Sequence, residues 1–230
     1  MIRTPSLPRR SCSAWRTIGL HLGLICAISA SSAAQDVGAV LGAAERAYHA
    51  ATSYRADFIQ TIENPMLGAP EQSRGTMFLN PPDRFAMRFS DPKGDRIVAD
   101  GKWLWLFTPS TVPDQVIRQP IPQGGTNTPN FFAQFVDRPL ERYTATLVGK
   151  DTVSGAVVDV VKLVPRFQDQ PFREATIAVA RQDGLLRRVS LVEESGQRRT
   201  IVLLSPKPGV PVPEEEFRFR TPRGAKVVTP

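Results

Sequence analysis

The groups that catalysis usually draws on are scarce in this chain. Of its two histidines only His49 lies beyond residue 34, and both cysteines, Cys12 and Cys26, lie before it. Past that point a thiol nucleophile or a His/Cys zinc cluster has nothing to be built from. A serine–histidine–acid triad would have to use His49, which stands beside Ala50 and Ala51 in a helical pattern that suits an ordinary surface histidine. Paired carboxylates could serve glycoside chemistry, and Asp95, Asp100, Glu193 and Glu194 are the candidates. Each falls in or beside a turn, where solvated acids are the rule. No Gly-Lys-Ser/Thr phosphate loop and no dinucleotide fingerprint occurs. The expectation is a protein that is not an enzyme and uses no cofactor or metal.

The residues that ask for an explanation are apolar. In 84–89, Phe85, Met87 and Phe89 fall at every second place and so share one face of a strand. Trp103, Trp105 and Phe107 repeat that period, with Leu104 and Leu106 on the opposite face. A sheet that is apolar on both sides has to be covered on both. A cover is available further on. Between 108 and 142 six prolines and Gly124-Gly125 break the strand rhythm, and in their midst Thr128-Pro129 opens a short helical run holding Phe131, Phe132 and Phe135. A long loop with its own aromatic helix suits a lid rather than a connector.

The elements that would position these residues follow from periodicity. The first 34 residues have arginines at 3, 9, 10 and 16, an apolar stretch over 18–30 and the small residues Ser32-Ala33-Ala34, which is the layout of a cleaved secretory signal peptide. The stretch is short for a retained membrane anchor, and Gly23-Leu24-Ile25 ahead of Cys26 does not suit a lipoprotein cleavage site. Residues 35–230 then form one exported domain, large enough to fold on core burial alone. That part carries 25 of the 29 basic residues against all 22 acids, a net +3, so the high pI gives little support to nucleic-acid binding. Arg187-Arg188 and Arg198-Arg199 flank the Ser195-Gly196 turn, either as a solvated face or as a docking patch for an acidic partner.

Asp36 suits an N-cap, with Val37, Val40, Leu41, Ala44, Ala47, Tyr48 and Ala51 following at helical spacing. From Tyr54 onward the period is two. Turn signals such as Asn80-Pro81-Pro82-Asp83, Asp91-Pro92-Lys93-Gly94 and Asp100-Gly101 recur at short intervals and force antiparallel neighbours. Later strands are expected at 143–148, 157–164, 175–180, 185–192, 199–204 and 217–220. The fold class read from this is α+β, mainly β. It is a single antiparallel sheet of about ten or eleven strands, which twist curls into an incomplete, half-open barrel. An N-terminal helix and a short loop helix form its lid.

Taken in order, several motifs resemble the periplasmic lipoprotein carrier family of LolA type. They are Ser53–Thr61, with its aromatic and Ala-Asp-Phe-x-Gln pattern; Gly75–Leu79 with the Pro-containing turn and Arg84-Phe85; and Ile97–Phe107, which is similar to the family's Ser-Asp-Gly-Lys-x-Leu-Trp signature. Asn127-Thr128-Pro129 and Phe217-Arg218-Phe219 with Pro222-x-Gly224 complete the set. The resemblance implies a carrier that shields the acyl chains of lipoproteins between inner and outer membrane. Its partners would be acylated lipoproteins, an inner-membrane lipoprotein-releasing transporter and an outer-membrane receptor, and the carrier itself a monomer. A lipid-binding sensor of envelope stress, which usually has a further C-terminal domain, and a shuttle for another lipid or glycolipid are the alternatives. The ligand-contacting residues are expected to be Phe85, Met87, Phe89, Trp103 and Trp105 on the wall and Phe131, Phe132 and Phe135 on the lid. One departure stands out: Asn80-Pro81-Pro82 replaces the family's Lys-Arg-Pro, whose arginine is associated with holding the lid closed. That leaves Arg84 as the nearest cation.

Overall fold

The computed structural model describes residues 28–229 except 67, 122–130, 168 and 169, and side chains from residue 37 onward. The signal-peptide segment up to residue 27 and the Thr128-Pro129 start of the lid helix lie outside the described residues. Helix α1 runs from Ile28 to Ala50. Its backbone passes straight through Asp36, so the expected N-cap is not one, and the helix spans the junction between residues 34 and 35.

Among the described residues twelve strands form one sheet. The first five are β1 (Tyr54–Glu63), β2 (Glu71–Asn80), β3 (Arg84–Asp91), β4 (Lys93–Asp100) and β5 (Trp103–Phe107). They are followed by β6 (Gln115–Pro120), β7 (Tyr143–Val153), β8 (Ala156–Pro165) and β9 (Phe172–Ala180). β10 (Leu186–Glu193), β11 (Arg198–Pro208) and β12 (Lys226–Val228) complete the set. Their order is β12-β6-β5-β4-β3-β2-β1-β11-β10-β9-β8-β7, two meanders joined where β1 pairs with β11. The two outermost strands do not pair with each other, so the curled sheet stays open. Two strands were not anticipated. β6 follows Pro113 and ends on Pro120, and β12 pairs with it in parallel, the one parallel register among these strands. Conversely, 217–220 is not a strand; Glu214–Phe217 is a 3-10 turn.

Cross-strand register assigns the faces. On the concave side one row reads Tyr54, Leu79, Phe85, Ala99, Leu104, and the next Ala56, Met77, Met87, Ile97, Leu106. A third places Gly75 between Phe58 and Phe89, whose rings meet edge-on at 5.1 Å across the gap that the missing side chain leaves. In the other meander Ile201, Val189, Ile177, Val161 and Leu147 line up in one row. All these rows feed one core, into which α1 lowers Val37, Leu41 and Ala44.

The convex side has a smaller core of its own. Phe78, Ala86, Val98 and Trp105 stand in one row there, and Phe217 and Phe219 of the C-terminal segment cover them, Trp105 stacking on Phe219 at 5.3 Å. Arg84 and Arg88 pair with Glu214 and Glu216 to hold that segment in place.

Candidate functional site

The concave wall is closed by a short cap. Helix α2 (Ala133–Val136) and helix α3 (Pro139–Arg142) are joined at Arg138, whose φ of 48° turns the chain sharply. Two four-residue helices do not hold themselves in place; they persist because their apolar side chains are seated. Phe135 is fully buried, with ring centroids 5.5 Å from Phe131, 5.8 Å from Phe172 and 6.2 Å from Tyr143. Phe132 is buried over the wall, 6.3 Å from the Phe85 ring.

Between this cap, α1 and the sheet lies an almost wholly apolar cleft, lined by Ala47 and Tyr48 of α1, Phe132 and Val136 of the cap, and Met77 and Leu203 of the wall. Its free volume is only about 40 Å³, room for a few water-sized spheres and far below the ~300–1,000 Å³ of a typical ligand pocket. In this conformation the protein covers its own surplus apolar sheet. Lid side chains and any ligand must compete for the same surface.

A polar cluster fastens the cap to α1. His49 Nε2 lies 3.2 Å from Asp137 Oδ1, and the Arg138 backbone N–H donates to Glu45 Oε1 at 3.2 Å. Donor atoms of Glu45, His49 and Asp137 all lie within 4.8 Å of one another, which is the spacing of a metal site. Arg138 and Arg142 each stand 3.9 Å from Asp137 and oppose a cation there, so a salt link is the better account.

The residues expected to line a ligand site divide by face. Phe85, Met87 and Phe89 are buried in the concave core together with Phe132 and Phe135, and Phe131 packs against it. Trp103 and Trp105 are not with them, which corrects their placement on a common wall. Trp105 stands in the convex row beneath Phe219, and Trp103 shares its face and packs under the Arg118 guanidinium, 4.3 Å from the ring centroid. Leu104 and Leu106 take the concave positions instead. The cleft also uses residues that the spacing did not single out for this role: Tyr54, Pro81 and the 184–186 segment of the β9–β10 hairpin. Burial raises the Tyr54 hydroxyl well above its ordinary pKa of 10.0, the nearby Arg187 charge only partly opposing this, so the phenol stays protonated.

Of the acids considered for catalysis, Asp95 and Asp100 are tied up structurally. Asp95 accepts the Ser110 backbone N–H and hydroxyl at 3.1 and 2.7 Å. Asp100 accepts the N–H groups of Lys102 and Trp103 and, at 2.8 Å, the Trp105 indole; it shapes the β4–β5 hairpin. Arg187, Arg188, Arg198 and Arg199 do not form one patch, because each pairs with its own carboxylate: Asp183, Asp151, Glu63 and Glu193. Arg84 also faces away from the lid, and Pro81 occupies the cleft margin. Arg84→Ala should therefore leave apolar-dye uptake unchanged and cost at most about 1 kcal/mol, the worth of an exposed pair. Dye titration and thermal melts of the variant check this.

Residues 49–220, well over half of the chain, match the family described as outer membrane lipoprotein carrier protein LolA. The chain belongs to the LolA family. Among curated relatives, an outer-membrane lipoprotein carrier protein of Erwinia tasmaniensis is 26% identical over 203 residues, covering 88% of this chain and 94% of the relative. That of Sodalis glossinidius is 29% identical over 172 residues, covering 75% and 79%. Among solved structures, an uncharacterized conserved protein of Thermus thermophilus shares the fold at a TM-score of 0.54 and 15% identity, over 85% of this chain and all of that one. In this chain the Asp100 hairpin sets Leu104 opposite Ala99 in the concave rows. Among the described residues no helix is long and apolar enough to cross a membrane.

Proposed function

We propose that this chain is a periplasmic carrier, exported by a cleaved signal peptide. It takes the acyl chains of lipoproteins onto its concave wall and moves them from the inner to the outer membrane. The observation that carries this reading is the mismatch between wall and lid. Beside α1, an extended apolar surface is closed only by two four-residue helices whose hold is mainly aromatic packing.

The energetics favour exchange. Each buried CH₂ is worth ~0.8 kcal/mol, so one 16-carbon chain contributes on the order of 12 kcal/mol. Displacing a few phenylalanines costs about 2–3 kcal/mol each by the same scale, so cargo can open the lid by replacing its contacts. A monomer would be loaded by an inner-membrane lipoprotein-releasing transporter and would unload to an outer-membrane receptor. The ligand contacts are assigned to Phe85, Met87 and Phe89 on the wall, and Phe131, Phe132 and Phe135 on the lid are the plug that cargo displaces from it. Trp103 and Trp105 support the hairpin.

The test is native mass spectrometry of the protein purified from the periplasm, paired with displacement of a neutral apolar dye by a tripalmitoylated cysteinyl peptide. Adducts of acylated proteins and stoichiometric displacement are expected. A protein recovered only bare, and a peptide that displaces no dye, would overturn the proposal.

A further inference from the structure

One end of the cleft is not apolar. Tyr54 lines it and is only 7% exposed, and among the described residues no group pairs with its hydroxyl. Beside it the β9–β10 pairing slips: Leu186 faces Val179 and Arg188 faces Ala178, which leaves Arg187 as the extra residue of a bulge. Such bulges re-aim a side chain. Here the result is an arginine only 9% exposed, immediately after two cleft-lining residues, with its charge acting on the Tyr54 hydroxyl.

A guanidinium has five N–H donors. Arg187 gives one to Asp183 Oδ2 at 2.6 Å and one, at a long 3.4 Å, to the Leu185 carbonyl. Its remaining donors are not sealed inside the protein, so an incoming carbonyl can reach them without first breaking a bond.

We propose that Tyr54 and Arg187 are the polar end of the cargo site, donating hydrogen bonds to the carbonyl oxygens of ester- or amide-linked acyl groups. This rests on the carrier reading above. The paired charge selects the chemistry. Asp183 already neutralises Arg187, so a neutral carbonyl meets donors without a net positive field, whereas a free carboxylate would also meet Asp183. Desolvation keeps the phenol protonated and hence a donor. The apolar cleft then measures chain, and this corner measures the linkage.

Three C16 probes separate the contributions: methyl palmitate, palmitate and hexadecane, each delivered from cyclodextrin and read by displacement of a neutral apolar dye. Wild type should bind methyl palmitate more tightly than hexadecane by roughly three- to tenfold, the worth of one hydrogen bond. Tyr54→Phe, which removes one oxygen atom, should erase that preference and leave hexadecane unchanged. Asp183→Asn keeps the acceptor for the Leu185 N–H (2.9 Å) but leaves Arg187 uncompensated, and palmitate should gain about tenfold, as expected for a charge pair released from a buried competitor. Equal changes for ester and alkane in Tyr54→Phe, or no gain for palmitate in Asp183→Asn, would overturn the anchor while leaving the carrier reading standing. Failure of wild type to bind any of the three would overturn both.

Discussion

Phe132→Ala should tighten the uptake of an apolar dye, not weaken it. In the closed conformation the cleft has a free volume of only about 40 Å³, and Phe132 is among the side chains that fill the rest. A ligand therefore binds only the fraction of molecules whose lid has lifted, and its apparent affinity is reduced by that fraction. Truncating a buried phenylalanine costs ~3–5 kcal/mol where the surroundings cannot relax. A lid of two four-residue helices relaxes more, so about 2 kcal/mol is a fair share for the closed state. That corresponds to roughly thirtyfold tighter uptake. Leu140→Ala is the control, because Leu140 lies on the lid but is 48% exposed; its effect should be within about twofold. Titration of a neutral apolar dye reads both variants. Weaker uptake by Phe132→Ala would mean that the ring serves the ligand as wall rather than opposing it as plug.

That competition was only partly legible in the chain. Period-two spacing marked most of the strands, because a strand that buries one face must alternate, and the proline-broken loop with its three phenylalanines marked the lid. It could not say which face is inside. Trp103 and Phe85 have the same period, yet register puts Leu104, not Trp103, in the Phe85 row. The hairpin signal at Asp100-Gly101 does put Leu104 on the same face as Ala99, so part of the answer was readable. The link from β3 to β4 was not, because it passes through a register slip between Arg88 and Ser90 that no residue type announces. Arg187 was hidden by the same kind of feature, a bulge. β6 was concealed by Pro113 just before it and Pro120 at its end, residue types that argue against a strand paired on both sides.

The lid's counterpart is α1, and the two can be separated at Gly184. This residue sits at the tip of the β9–β10 hairpin with φ +71°, and a Cβ added there would lie 2.6 Å from the Ala43 carbonyl oxygen and 3.2 Å from the Ala47 Cβ. The first contact is backbone and cannot rotate away. Gly184→Ala therefore combines two penalties: about 1–2 kcal/mol for a side chain in the left-handed region, and the displacement of α1 from the hairpin. Gly155 isolates the first penalty, since it has φ +80° and open space around its missing Cβ. Gly155→Ala should cost about 1 kcal/mol and leave dye uptake alone. Gly184→Ala should cost about 3 kcal/mol, a fall of roughly 6–12 °C in Tm at this chain length. It should also raise dye uptake, because Ala44 and Ala47 of α1 form one side of the cleft. Equal losses in the two variants, with uptake unchanged in both, would mean that α1 yields without opening the cleft, and that the aromatic lid alone controls access to the wall.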